Sequence, residues 1–251
     1  MSEKRPFALT IGGLDPSGGA GLLADIKTME LHKAQGLAIC TGITVQTENI
    51  FYEMHWTPID LVLRSLEVML KSYPVQAIKI GVIPSLDYLF QITTAIRERQ
   101  PHVPIIWDTV LKSSSQFDFT SITDKNKIAR ILQQVDLITP NYNEINQLGT
   151  GKSPEAIALK LRGFCNILLK GGHNPIAPGH DFLYTQNEIH PIHPIHKSVI
   201  SKHGSGCVLA AAIASHIALG QSWEAACRQA KLYVENYLNS NTTLIGHHYV
   251  S

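Results

Sequence analysis

The chain has 251 residues, with 21 lysines and arginines against 20 aspartates and glutamates, and 44% hydrophobic against 16% charged side chains. A net charge of +1 supplies no basic field for nucleic acid or an anionic membrane surface, and so apolar a composition excludes a disordered chain. No run is apolar enough to span a bilayer, and the four scattered cysteines suggest neither a disulfide framework nor a zinc knuckle. The amino terminus carries charge without an apolar signal core, so a reducing, cytoplasmic setting is expected.

Short runs rich in branched apolar residues alternate with longer amphipathic stretches. Residues 7–12 read as a strand and 20–32 as a helix. Strand character returns at 38–46, 76–83, 104–110, 136–140, 167–171 and 182–185, with helical patterns at 60–71, 87–99 and 124–134 between. After Ile189 the rhythm changes. Residues 205–219, small and apolar almost all round, predict a buried helix, and 222–238 an amphipathic one. No linker interrupts the pattern, so the expectation is one α/β domain spanning residues 1–251, a mostly parallel sheet with right-handed crossovers and helices on both faces.

In such sheets ligands bind at the carboxyl ends of the strands. Those ends carry Asp15, Gln46, Gly81, Asp108, the pair Asn141 and Glu144, and Lys170-Gly-Gly-His173. Turns after strands favour some of these residues anyway, but the set together predicts a ligand site on one sheet edge.

The first junction, Gly12-Gly-Leu-Asp-Pro-Ser-Gly-Gly-Ala-Gly21, lacks the spacing of a dinucleotide fingerprint. It suits close backbone approach to a ligand, with Asp15 free to accept a hydrogen bond, or simply a tight turn. Gly149-Thr-Gly-Lys-Ser153 resembles the end of a phosphate-binding P-loop, yet the first required glycine is Asn146, which makes it a surface loop.

A better phosphate cradle is His203-Gly-Ser-Gly-Cys207, because successive amides at the start of a helix, reinforced by its dipole, hold anions. The same positive end should lower the pKa of Cys207 and make it reactive, although a small residue at a buried helix start is the other use of cysteine there. Asn141 and Glu144 suit a hydrated Mg²⁺ or a helix cap, Asp108 is a second metal or phosphate candidate, and Lys170 offers a point charge to a polyphosphate. His190, His193 and His196, in a His-Pro-Ile repeat, predict a polyproline-like run with all three rings on one face, too far apart to chelate one ion, or an edge strand or surface loop.

Taken in order, Gly13–Gly21 with Ala24-Asp25-Ile-Lys27, Gln46, Thr139-Pro-Asn-x-x-Glu144, Lys170-Gly-Gly-His173 and His203-Gly-Ser-Gly-Cys207 resemble the hydroxymethylpyrimidine/phosphomethylpyrimidine kinases of thiamine biosynthesis, in the ribokinase-like superfamily. The resemblance runs over roughly residues 7–240. It implies a three-layer ribokinase-like fold, a homodimer, and ATP-dependent phosphorylation of 4-amino-5-hydroxymethyl-2-methylpyrimidine and then of its monophosphate. It further implies Gln46, Asp15, Ala20 and Val82 around the pyrimidine, Asp108 and Glu144 serving Mg²⁺, and Lys170, Gly172, Ser205 and Gly206 facing the nucleotide. Gly204, Ser205, Gly206 and Cys207 would form the catalytic turn, where a base role for Cys207 would slow Cys207→Ala more on the alcohol than on the monophosphate. Three departures concern substrate preference: Val82 in place of a common methionine, no glycine after the serines at 113–115, and a short carboxyl end at 245–249. A pyridoxal kinase and a non-catalytic pyrimidine-binding module are the competing expectations.

Overall fold

The computed structural model describes residues 5–111 and 124–249. In chain order they form β1 (Phe7–Leu14), α1 (Gly21–Leu31), β2 (Gln35–Gln46), β3 (Phe51–Trp56), α2 (Ile59–Ser72), β4 (Val75–Ile80), α3 (Leu86–Arg99), β5 (Ile105–Trp107) and α4 (Lys125–Leu132). Then come β6 (Leu137–Ile138), α5 (Ile145–Leu148), α6 (Pro154–Leu161), β7 (Asn166–Leu169), β8 (Asp181–Tyr184), β9 (Ile189–Ile192), α7 (Ser205–Ala218) and α8 (Trp223–Leu238).

The strands make one nine-stranded sheet in the order β3-β2-β1-β4-β5-β6-β7-β8-β9. Pairing is parallel from β2 through β7, and β3, β8 and β9 add antiparallel margins. Alternate residues of each buried strand feed two separate cores. Leu9, Ile11, Ile78, Ile80, Ile105 and Trp107 pack with α2 to α6 on one face. Ala8, Ala77 and Ile106 meet α1, α7 and α8 on the other. The small residues on this second face let α7, buried from Val208 to Ala218, lie directly on the sheet. Thr10, Gly12, Lys79 and Asp108 alternate onto the same face.

Four of the eight described α-helices begin at a side-chain cap, Ser85, Asp124, Ser153 and Ser222 each accepting a backbone N–H at the start of α3, α4, α6 and α8, whereas α1, α2 and α5 have none. The start of α7 has none, and Gly204 precedes it with φ of 74°. Its first amides are therefore left for something else.

The alternating strands and helices match the expected pattern, with two differences, at β3 and in the His-Pro-Ile repeat. β3 was not anticipated, because polar and charged residues dilute its alternation. It is held by pairing with β2, from Gly42↔Trp56 to Gln46↔Phe51, not by burial. The loop 149–153 leads, in keeping with its sequence, into α6 at Pro154, with Ser153 as the cap. The His-Pro-Ile repeat does not put its rings on one face. Residues 189–192 pair with β8 as an edge strand that tolerates Pro191. His190 lies against Glu188 and Glu224, His193 packs edge-on to His180, and His196 meets the Asn236 amide.

Candidate active site

The strand order reverses at β1, which has β2 on one side and β4 on the other. A cleft of about 340 Å³ opens at the carboxyl ends beside that reversal. Every residue singled out from the sequence as a site residue lines it: Asp15, Ala20, Gln46, Val82, Asp108, Glu144, Lys170, Gly172, Gly204, Ser205, Gly206 and Cys207. The loop 149–153 does not. The serines at 113–115 lie outside the described residues.

On one side of the cleft the uncapped start of α7 faces Lys170, Asp108 and Glu144. Thr139 donates its hydroxyl to Asp108 Oδ1 at 3.0 Å, while Lys170 Nζ stands 3.5 Å from the same oxygen and 3.8 Å from Glu144 Oε2. Glu144 Oε2 also accepts the Asn141 backbone N–H at 2.8 Å and the Thr109 hydroxyl at 3.0 Å. Asn141 takes up the capping alternative too, since its side-chain oxygen accepts the N–H groups of Asn143 and Glu144. Burial pushes the Glu144 carboxyl up and outweighs the pull of Lys170, which is itself pushed up by Glu144 and Asp108 against the effect of burial. Asp108 Oδ2 is buried and without a hydrogen-bond partner among the described residues, as is Asp25 Oδ1. The long separations leave Lys170 only loosely engaged, so these carboxylates can still take up a ligand or ion.

On another side the glycine-rich turn wraps around Asp15. Its Oδ1 accepts the Ser17 N–H at 2.9 Å. Its Oδ2 accepts the Ser17 hydroxyl at 2.8 Å, the Ala20 N–H at 2.9 Å and His203 Nε2 at 2.9 Å. Burial raises the Asp15 pKa, but the His203 and Ser17 hydrogen bonds lower it further, so the carboxyl lies below its ordinary value. These bonds draw the turn and the start of α7 together. Gly21, with φ of 57°, presses against the Gly13 carbonyl. His203 pairs with Asp15 and not with Cys207, so no cysteine–histidine relay forms here.

Reading the sequence alone gives Cys207 a lowered pKa, and the structure corrects this. Burial pushes the thiol up to about 11, against the pull of Lys79. Lys79 is the main residue that sequence reasoning missed. It is fully buried on β4, its ammonium 2.7 Å from Asp25 Oδ2 of α1, which also accepts the Thr10 hydroxyl at 2.6 Å. A lone charged residue in the mainly apolar strand Val75–Ile80 is the available signal. The far wall holds a second unforeseen group: Lys231 lies 2.9 Å from Asp181 Oδ2 and 3.4 Å from Glu235 Oε1. Asp181 is distant in sequence from Lys231 and Glu235, which lie one turn apart on α8, and none of the three carries a motif.

The architecture is that of the ribokinase-like fold. It is similar to phosphomethylpyrimidine kinase from Clostridium difficile 630, with a TM-score of 0.77 at 26% identity over 92% of this chain and 98% of that one. It is also similar to the pyridoxal kinase of Staphylococcus aureus in complex with pyridoxal, with a TM-score of 0.81 at 23% identity over 94% and 89% of the two chains. The sequence matches the phosphomethylpyrimidine kinase family over residues 15–251, and the chain belongs to that family. It is 30% identical to the hydroxymethylpyrimidine/phosphomethylpyrimidine kinase of Escherichia coli (strain K12), covering 97% of this chain and 95% of that protein. The Salmonella typhimurium enzyme of the same name is also 30% identical, covering 96% and 94%. Some relatives are much longer: the match spans 34% of the thiamine biosynthesis multifunctional protein ThiED of Corynebacterium efficiens.

Proposed function

We propose that the protein transfers the γ-phosphoryl group of ATP to the hydroxymethyl oxygen of 4-amino-5-hydroxymethyl-2-methylpyrimidine, and then to the monophosphate so formed. The observation that carries this reading is one cleft joining an amide-bearing end, Gln46 with Ala20 and Val82, to an anion-ready end, Lys170 with the free amides of α7. The names of the family and of its near full-length bacterial relatives agree with it.

In this reading the Gln46 amide pairs with the aminopyrimidine edge through one donor and one acceptor. Ala20 and Val82 form the apolar wall, and Asp15 shapes the loop beneath. Gly172 and the amides of Ser205 and Gly206 receive the nucleotide phosphates, and Lys170 supplies a mobile positive charge. Asp108, with its bare Oδ2, and Glu144 fit Mg²⁺, which takes one or two carboxylates and completes its shell with water and phosphate oxygens. When bound, the ion would neutralise charge on the phosphates. Phosphoryl transfer is mainly positioning and charge stabilisation, so the α7 amides and Lys170 carry most of the work left to the protein.

Because its thiol is hard to ionise, Cys207 is assigned to the anion cradle. Cys207→Ala should therefore slow both transfers alike, whereas a larger loss on the alcohol step would assign it the base. A homodimer in the cytoplasm belongs to the same reading. It is supported by the exposed apolar residues Ile43, Val45 and Tyr52 on the β2–β3 ribbon, and light scattering of the purified protein tests the dimer.

The deciding experiment is ATP turnover with Mg²⁺, offering the hydroxymethylpyrimidine and pyridoxal separately and identifying products by mass. Pyrimidine mono- and diphosphate are expected. Pyridoxal phosphate alone would move the activity to the competing substrate, and binding without product would make the protein a pyrimidine-binding module.

A further inference from the structure

The Asp15 carboxylate lines the cleft, yet it is occupied by the protein itself. A carboxylate offers about four acceptor positions, and four donors reach this one: the Ser17 N–H, the Ser17 hydroxyl, the Ala20 N–H and His203 Nε2, all within 2.9 Å. Three come from its own turn. The fourth crosses 188 residues of sequence to the segment that starts α7.

The contact around that bond is tight. The His203 ring lies over Gly19, where a β-carbon would stand 2.9 Å from its Cδ2. A side chain at Gly204 would collide with the Gly19 carbonyl. On its other side His203 is braced by the carboxyl-terminal segment: its N–H bonds the Leu244 carbonyl at 2.9 Å, and the neighbouring Lys202 donates to the Asn241 and Thr243 carbonyls at 2.5 and 2.6 Å. The His203 backbone is thus held by the carboxyl-terminal segment and its imidazole by Asp15 and the close fit over Gly19, with Nδ1 buried and without a partner among the described residues and the side chain only 9% exposed.

We infer that His203 is a positioning residue for the transfer, acting through Asp15 to hold the turn beside the acceptor in register with the α7 amides that hold the phosphoryl group. This inference rests on the kinase reading above. A displacement of about 1 Å between two reacting groups costs about 10²-fold in rate. The latch joins the two loops whose separation sets that distance. Losing it should impair alignment while leaving the nucleotide amides in place, and misaligned phosphoryl groups go to water: water attacks the γ-phosphorus, the bond to the β–γ bridging oxygen breaks, and ADP and inorganic phosphate leave.

The test uses the full chain and compares wild type, His203→Leu, which removes the donor, and His203→Gln, which keeps an N–H of similar reach. Asp15→Asn is made alongside, and thermal melts identify any variant that fails to fold. For the folded variants, kcat and KM for the hydroxymethylpyrimidine, ADP formed per phosphorylated product, and the affinity for a non-hydrolysable ATP analogue are measured. The expected result is a kcat about 10²-fold lower in His203→Leu, analogue affinity unchanged within about twofold, ADP in excess of product, and recovery of coupling in His203→Gln. Asp15→Asn, the latch cut from the other side, should show the same excess of ADP and carries the test if His203→Leu does not fold. ADP that stays equal to product in the folded variants, or analogue affinity that falls in step with kcat, overturns the latch. A wild type that turns over but phosphorylates only pyridoxal overturns the substrate reading and leaves the latch to be read on that acceptor by the same ratios. A wild type with no transferase activity overturns both.

Discussion

Two lysine–carboxylate groups sit within the same cleft and behave in opposite ways. Lys79 and Asp25 are closed: both are buried, the ion pair is 2.7 Å long, and Thr10 adds a hydrogen bond to the same oxygen. Lys170, Asp108 and Glu144 are open, with separations of 3.5 and 3.8 Å. The closed pair spends its charge on joining α1 to β4. The open group keeps charge available at the mouth of α7, where nothing caps the amides. Asp25 Oδ1 and Asp108 Oδ2 are both buried without a partner among the described residues, so what separates the two groups is the length of their ion pairs and the place of the longer ones beside the α7 amides.

The contrast can be broken most severely at the closed pair. Lys79→Met leaves Asp25 as an unpaired buried carboxylate and should cost about 3–5 kcal/mol in urea unfolding, with Lys79→Met/Asp25→Leu recovering much of the loss. A loss confined to turnover would mean that Lys79 belongs with the open group. At that group Asp108→Asn should lower turnover by about 10²–10³-fold yet leave unfolding stability unchanged or raised, because it removes charge the free protein does not satisfy.

Smaller effects of opposite sign are expected from pH. Asp15 lies below its ordinary pKa of 3.8, so its stabilising contribution is complete above that value and is lost as pH falls through the lower folded value. Asp15→Asn should cost about 1–3 kcal/mol near pH 7, and the difference from wild type should shrink in strong acid. Glu144 lies above its ordinary value of 4.5, so its ionised form opposes folding above the raised value, and the penalty fades as pH falls towards 4.5. Glu144→Gln should stabilise the free protein near neutrality, with the gain disappearing in acid. Unfolding curves across pH for both variants check the two signs, and equal signs would end the distinction between a carboxylate lowered by its hydrogen bonds and one raised by burial.

Much of the fold was legible because buried parallel strands are continuous apolar runs and their helices repeat at 3.6 residues. The candidate site was legible for a related reason, since the polar residues following each strand fall on one edge once the strands are parallel. β3 was not legible, because a margin strand with few buried residues leaves little periodic signal, and its existence rests on pairing with β2. The state of Cys207 could not be read locally either. A helix start predicts a lowered pKa, but the depth at which α7 sits on the sheet reverses it.

By itself, then, the sequence determined the alternation of strands and helices, the uncapped glycine-rich start of α7, and the polar residues delivered to the carboxyl edge, since each depends on neighbours a few positions away. Only the tertiary structure decided how those residues are used. It showed Asp15 filled by its own turn and His203, Lys79 closed onto Asp25, and Asp108 left with a bare oxygen. Hydrogen-bond satisfaction and desolvation depend on partners as much as 188 residues apart, and those distances exist only once the chain has packed.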